Sequence, residues 1–75
     1  MTFGEKAVGL TFNPSGDENV NKVKKLYADI IDLCNDMRER ELNARSEYAR
    51  LLSIAITEAQ GAQMWAIKAI TWRDE

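Results

Sequence analysis

The segment from Leu51 to Trp72 constrains the fold most strongly, because it is apolar on almost every side when it is drawn as a helix. One face carries aliphatic and small residues at helical spacing: Leu52, Ile56, Ala59, Ala66 and Ile70. Most other positions are also apolar, and include Leu51, Ile54, Ala55, Ala62, Trp65, Ile67, Ala69 and Trp72. One neighbouring helix covers only one side, so the other sides need further protein to exclude water. The sequence therefore predicts an all-α chain whose copies assemble into a homo-oligomeric helical bundle.

An earlier helix is predicted over residues 17–38. Ser15 and Glu18 have the spacing of a capping box, so Ser15 is the expected N-cap. The apolar residues that follow recur at intervals of three and four, as in the a and d positions of a heptad: Val20, Val23, Tyr27, Ile30, Cys34 and Met37. Three further apolar residues widen this stripe: Leu26, Ile31 and Leu33. The wide stripe indicates a helix that is covered on more than one side.

The apolar stripe stops in residues 35–47, which are charged and contain no glycine or proline. A single continuous helix of about 55 residues would be about 80 Å long at 1.5 Å per residue. The alternative is an antiparallel hairpin that bends near Arg38–Asn43, with a second helix over residues 42–72. The hairpin is favoured, because one long helix would leave both apolar segments without an intramolecular partner.

Residues 1–16 are predicted to form an extended N-terminal arm, and residues 73–75 a short tail. The arm contains Pro14 and three of the four glycines, and Asn13-Pro14-Ser15-Gly16 is typical of a turn. The arm also carries too many apolar residues for a free tail: Phe3, Val8, Leu10 and Phe12. It is therefore expected to pack on other protein.

Composition disfavours several classes of function. Ten Lys+Arg against twelve Asp+Glu give a net charge of −2, whereas a binder of DNA or RNA polymers needs a surplus of positive charge. Histidine is absent and the one cysteine, Cys34, lies in the apolar stripe, so no catalytic residue, metal site or cofactor is predicted. No apolar run approaches the ~20 residues that span a bilayer. No signal peptide is evident either, so the expected location is the cytoplasm, without a membrane partner.

A compact basic cluster lies one turn into the first helix: Lys22, Lys24 and Lys25. It is either a solvated helix face or a local anion pocket that uses Phe12 or Tyr27 for stacking. Taken alone, Phe12 is better interpreted as an anchor in the core than as a stacking surface for a ligand. Lys68 stands alone in an apolar stretch, and it either reaches solvent or faces a ligand at an oligomer interface.

The chain carries four distinctive stretches: GLTFNPSG at 9–16, NKVKKL at 21–26, RLLSIAITEAQ at 50–60 and AQMWAIKAITW at 62–72. Together they resemble the small phage proteins that share the anti-CBASS/Thoeris anti-defence hairpin domain, and most closely the anti-CBASS sponges. Members assemble as hexamers of helical hairpins and sequester, without cleaving, the cyclic oligonucleotide signals of bacterial immune synthases. The resemblance therefore implies a phage protein that is not an enzyme and acts in the cytoplasm of the infected bacterial host.

The resemblance also implies binding residues. In the family, cyclic dinucleotides such as cyclic GMP–AMP lie between protomers, against an aromatic residue before the first long helix and a lysine early in that helix. The matching residues are Phe12 and Lys24, with Lys22 or Lys25 as substitutes for Lys24. Asn21, which opens the matching stretch Asn21-Lys22-Val23-Lys24, is included among the expected binding residues. Phenylalanine stands where tyrosine can occur, which keeps stacking and loses any phenol hydrogen bond. A second site, for cyclic trinucleotides, uses a basic residue late in the second helix, and Lys68 matches it by position.

Three other functions remain open from the sequence. The chain could be a structural coiled-coil adaptor that binds a helix of a partner protein. It could also sequester Thoeris signals of the cyclic ADP-ribose type. Hydrolysis of a nucleotide signal is a third possibility, which recovery of the intact signal would eliminate.

Overall fold

A computed structural model of the protein describes residues 1–74, and these residues form three α-helices and no strand. The helices are α1 (Phe3–Val8), α2 (Glu18–Glu39) and α3 (Glu47–Ile70). Near the bend, Arg38 Nη1 of α2 donates to Ser53 Oγ of α3 at 3.0 Å. At the opposite end, Lys24 of α2 and Ile67 of α3 line the same concavity. The two long helices therefore run antiparallel, which confirms the predicted helical hairpin over one continuous helix.

Both long helices begin with a side chain that caps the backbone. The Asp17 carboxylate accepts from the Asn19 amide at 2.8 Å, and the Ser46 hydroxyl accepts from the Ala49 amide at 3.0 Å. The prediction that Ser15 caps α2 is wrong, because its hydroxyl instead accepts from the Asp17 amide at 3.1 Å. A carboxylate next to the first helical residue is the stronger acceptor for this position.

The bend is longer than predicted. Residues 40–46 connect the helices, so α3 begins at Glu47 rather than near residue 42. Within the bend, the side-chain oxygen of Asn43, Oδ1, accepts a hydrogen bond from the Arg45 amide at 3.0 Å. Local bonds of this kind compete with helical hydrogen bonds, which explains the later start.

The prediction that residues 1–16 form an extended arm is also wrong, since α1 occupies Phe3–Val8. Thr2 and Glu5 form a capping box: the Thr2 hydroxyl accepts from the Glu5 amide at 3.1 Å, and the Glu5 carboxylate accepts from the Thr2 amide at 2.8 Å. Gly9 ends the helix at φ +63°, a left-handed conformation that glycine adopts readily. The Thr-x-x-Glu spacing was the signal in the sequence for this helix.

The core lies between α1, α2 and α3. It is formed by small and aliphatic side chains: Val8, Val20, Ala28, Ile31, Ala49, Leu52 and Ile56. On α3, the predicted face beginning with Leu52 and Ile56 does face the core. On α2 the predicted stripe is displaced, because Ile30 is 51% exposed whereas Ile31 is fully buried. Both sides of α2 are apolar, so the spacing alone did not determine which side faces inward.

Gly4 allows α1 to lie close against α2. Its amide donates to Asp32 Oδ1 at 2.6 Å, and a Cβ atom at this position would overlap the Ala28 carbonyl and lie 2.8 Å from Asp32 Oδ1. No helix of residues 1–74 is long and apolar enough to cross a membrane.

We expect Gly4→Ala to lower the free energy of unfolding by about 1–3 kcal/mol, because α1 must move away from α2 to admit the methyl group. Urea denaturation followed by circular dichroism measures this change. Lys6→Ala is the control, since Lys6 is an exposed residue of the same helix. Equal stability of Gly4→Ala and the wild type would contradict the close packing of α1.

Candidate functional site

A cleft of about 320 Å³ opens between residues 12–15, which precede α2, the start of α2 and the end of α3. All three parts of the chain contribute to its lining: Phe12, Asn13, Pro14, Ser15, Val20, Lys24, Ile67 and Thr71. This volume is at the lower end of the range of about 300–1,000 Å³ that is usual for ligand pockets. The cleft brings together Phe12 and Lys24, the two residues that the resemblance selected.

Lys24 places a buried ammonium group in this cleft. The residue is 5% exposed, and its Nζ donates to the carbonyl oxygens of Gly9, at 2.8 Å, and Phe12. An ammonium has three N–H donors, so one is left for an acceptor in the cleft. Within residues 1–74, no carboxylate lies within 4.0 Å of this ammonium. Because a buried charge is costly without a counter-charge, the site favours an anion.

Phe12 offers an exposed aromatic surface beside that charge. The residue is 71% exposed, and Lys24 Nζ lies 5.5 Å from the centre of its ring. The interpretation of Phe12 as a core anchor is therefore wrong. The exposed ring is available to stack on a nucleobase, a contact that suits any base.

A turn over Asn13–Gly16 holds Phe12 in place, as the sequence predicted. The Gly16 amide donates to the Asn13 carbonyl at 3.2 Å, and Gly16 has φ +70°, which favours glycine. Pro14 follows Asn13 and fixes its own φ, which restricts the turn further. The backbone that carries the ring is thus restrained before any ligand binds.

Asn13 connects the turn to α2 through its side chain. Its Nδ2 donates to the Asp17 carbonyl and to Asn21 Oδ1, both at 3.0 Å, and its Oδ1 accepts from the Ser15 hydroxyl at 2.7 Å. Asn21, a predicted binding residue, therefore bonds to the turn in this structure and positions it. The turn at Asn13 was predicted, because asparagine before proline is a recognised turn signal, but the hydrogen bond from its side chain to Asn21 was not.

The other two lysines of the basic cluster lie outside the cleft. Lys22 and Lys25 are exposed, and together with Asn21 and Leu26 they line a shallow surface on another side of α2. At 100° per residue around the helix, Lys22 points about 160° away from Lys24 and Lys25 about 100° away. Lys25 Nζ lies 2.8 Å from Asp29 Oδ1, and this hydrogen bond raises the pKa of Lys25. Only Lys24 of the three lies beside Phe12.

Lys68 lies apart from the cleft. It lines a separate concavity of about 290 Å³ with Gly61, Met64 and Trp65, and its Nζ is 5.5 Å from the centre of a Trp65 ring. Both side chains are exposed. The role of Lys68 in binding cyclic trinucleotides stays a prediction.

Cys34 is half-buried and packs against the core, in agreement with its interpretation as a small hydrophobic residue. Among residues 1–74, no group of three or more His, Cys, Asp or Glu residues is arranged to hold a metal ion.

These features define a class: a small helical hairpin with a cleft that contains a buried lysine, formed where residues 12–15 pack against one end of the hairpin. Comparison with protein families identifies the particular family. The family described as "Acb2/Tad1, hairpin domain" matches residues 5–71. The chain belongs to this family, the anti-CBASS/Thoeris sponges, which confirms the resemblance found in the sequence. Membership implies a phage anti-defence sponge for cyclic nucleotide signals. Comparisons with curated proteins and with solved structures gave no match.

Proposed function

We propose that this protein binds cyclic dinucleotide immune signals, such as cyclic GMP–AMP, and sequesters them without cleavage, so that they do not reach the CBASS effector. The observation that carries the proposal is the buried Lys24 ammonium, which has no carboxylate partner among residues 1–74 and lies beside the exposed ring of Phe12. A cyclic dinucleotide supplies a phosphate for the ammonium and a base for the ring.

A second protomer would complete the site. A cyclic dinucleotide is nearly two-fold symmetric, with two bases and two phosphates, whereas one cleft offers one ring and one ammonium in about 320 Å³. An isologous interface at the cleft would present Phe12 and Lys24 twice. The proposal therefore includes a homo-oligomer, and family membership makes a hexamer the expected form.

The outer side of α3 supports assembly. Large apolar side chains are exposed along α3 and just after its end: Leu51, Ile54, Met64, Trp65 and Trp72. So many exposed large apolar side chains favour an interaction surface on a small protein. Trp72 lies next to Thr71 of the cleft, so a copy that covers this side also approaches the ligand.

Assembly also matters for affinity. A sponge that competes with a receptor needs roughly nanomolar binding, which is about −12 kcal/mol. Two stacked bases contribute about 1–3 kcal/mol each, and two charge-assisted phosphate contacts about 1.5–3 kcal/mol each. These contacts must also offset the entropic cost of binding. Exclusion of water by a preorganised oligomer supplies the remainder in this proposal.

Sequestration without cleavage is proposed from the lining of the cleft. Lys24 is the one ionisable side chain among the lining residues that the structure describes, and the Ser15 and Thr71 hydroxyls have no neighbouring base there. A hydrolytic site of the nucleophile–base type needs such a pair.

Isothermal titration calorimetry tests the proposal with cyclic GMP–AMP and related cyclic dinucleotides. We expect a dissociation constant well below micromolar for at least one of them, with one ligand per two protomers. The matched family also covers Thoeris sponges, so a signal of the cyclic ADP-ribose type is titrated as the second ligand, which is the second arm of the experiment. Binding in that arm alone would favour a Thoeris sponge. Absence of binding in both arms at micromolar concentration would overturn the proposal and favour an adaptor for protein helices.

A further inference from the structure

The hydroxyl of Thr71 is a polar group of the cleft that the proposed function does not yet use. Thr71 is half-buried, and it lies directly after α3, where it lines the cleft together with Ile67. Its Oγ1 donates to the Ile67 carbonyl oxygen at 2.8 Å. A carbonyl oxygen only accepts, so this bond uses the single hydrogen of the hydroxyl. Two lone pairs remain, and Thr71 therefore offers a ligand an acceptor and no donor.

The other polar side chains of the cleft have few hydrogens left to donate. Asn13 uses both N–H groups of its amide, on the Asp17 carbonyl and on Asn21 Oδ1. The Ser15 hydroxyl donates to Asn13 Oδ1 and accepts from the Asp17 amide, which leaves it one lone pair. Lys24 keeps one N–H, which the proposed function assigns to a phosphate. The side chains of the cleft therefore hold an uncharged ligand group through acceptors.

We propose that Thr71 determines specificity in the cleft, because its hydroxyl oxygen accepts a hydrogen bond from a donor group of the bound nucleotide. A cyclic dinucleotide has two groups with this chemistry, the exocyclic amino group of a purine base and the 2′-hydroxyl of a ribose. The assignment rests on the proposed function and adds the ligand group that the cleft distinguishes. Thr71 was not among the residues selected from the sequence.

Thr71 and Lys24 would bind different parts of the nucleotide. A phosphodiester carries no hydrogen, so its oxygens pair with the Lys24 ammonium and not with the lone pairs of Thr71. A base amino group or a ribose hydroxyl does carry a hydrogen, and it pairs with Thr71. The two residues line the same cleft from different helices, and together they would fix the orientation of the ligand.

The surroundings of Thr71 suit this role better than those of Ser15. Thr71 is half-buried, whereas Ser15 is exposed and can keep its water when a ligand binds. A ligand that fills the cleft removes water from the Thr71 oxygen, which is left unpaired unless the ligand supplies a donor. The Thr71 amide also donates to the Ile67 carbonyl, at 3.0 Å, so two hydrogen bonds hold the residue before a ligand binds. A site of this kind rejects an analogue that lacks the matching group.

Isothermal titration calorimetry with ligand analogues tests the assignment. The wild type is titrated with cyclic di-GMP, with cyclic di-IMP, which lacks the 2-amino group, and with the 2′-deoxy analogue of cyclic di-GMP. The same series is run for cyclic di-AMP, with analogues that lack the 6-amino group or the 2′-hydroxyl. We expect the wild type to bind at least one analogue about tenfold or more weakly than its parent. That analogue identifies the donor group.

Thr71→Val keeps the shape of the side chain and removes the acceptor. It should bind the parent more weakly than the wild type does, and it should bind the parent and the identified analogue within about twofold of each other. Thr71→Ser is the matched control and should keep the wild-type ratio, because it keeps the hydroxyl. Circular dichroism should show unchanged helix content. A general loosening at the end of α3 would weaken parent and analogue alike, so the ratio separates recognition from a structural role.

Each other outcome has a defined meaning. A wild-type ratio that persists in Thr71→Val would overturn the assignment of Thr71 and leave the proposed function intact. A wild type that binds every analogue as tightly as its parent would do the same. A wild type that binds no cyclic dinucleotide would overturn the proposed function and the role of Thr71 with it.

Discussion

Replacement of Lys24 by methionine is expected to weaken cyclic dinucleotide binding by at least about 100-fold. Methionine keeps much of the apolar stem but removes the charge and the one N–H donor that is not bonded to the Gly9 and Phe12 carbonyls. A ligand held by two protomers would lose two charge-assisted contacts of about 1.5–3 kcal/mol each, or about 3–6 kcal/mol in total. Since 1.4 kcal/mol corresponds to a factor of ten, the loss is 100-fold or more. Isothermal titration calorimetry measures it directly.

Lys24 also holds the arm through the carbonyl oxygens of Gly9 and Phe12, so the variant needs a test of structure. Sedimentation velocity and circular dichroism should show an assembly of unchanged mass and helix content. Lys6→Met is the control, because Lys6 is an exposed lysine on α1 outside the cleft lining. Loss of affinity with Lys25→Met but not with Lys24→Met would move the binding site to the outer side of α2.

A glutamate at Ile54 is expected to break the contacts made by the outer side of α3, and with them ligand binding. Ile54 is exposed in the protomer and lies nearer the bend than the cleft. Each copy would lose about 1.5–3 kcal/mol of apolar burial, and desolvation of the new carboxylate adds a further cost. Sedimentation velocity at micromolar concentration should show smaller species than the wild type. The affinity for cyclic dinucleotide should fall by at least about tenfold.

Ile54→Leu is the matched control for this experiment, because it keeps the volume and the apolar character of the side chain. It should assemble and bind as the wild type does. A full-mass assembly of Ile54→Glu would show that this side of α3 is not an interface. Smaller species with undiminished affinity would show that one protomer binds the ligand alone, against the shared site.

The hairpin could be predicted from the sequence because both of its helices are long enough to show a clear apolar periodicity. Two segments with the apolar periodicity of a helix, separated by a charged stretch, leave few alternative folds for a chain of 75 residues. The short helix α1 was missed because six residues give too few turns for periodicity to be read. Its stability comes from tertiary contacts, among them the bond from the Gly4 amide to Asp32, which the sequence alone does not reveal.

The site was partly predictable. A lysine cluster near an aromatic residue was evident, but the choice among Lys22, Lys24 and Lys25 depended on which side of α2 faces inward. Apolar residues on both sides of that helix left this undetermined, and the prediction placed Ile30 in the central stripe and Ile31 only on its flank. The role of Asn21 in the turn depended on its hydrogen bond to Asn13, eight residues earlier, which only the folded chain brings together.

Sequestration without cleavage is tested by the chemical state of a ligand that is recovered from the complex. The protein is incubated with cyclic GMP–AMP and separated from free ligand. It is then denatured, and the released nucleotide is analysed by liquid chromatography and mass spectrometry. We expect intact cyclic dinucleotide at one molecule per two protomers, still unchanged after prolonged incubation. A linear product, or a protein fraction that carries no nucleotide, would contradict it.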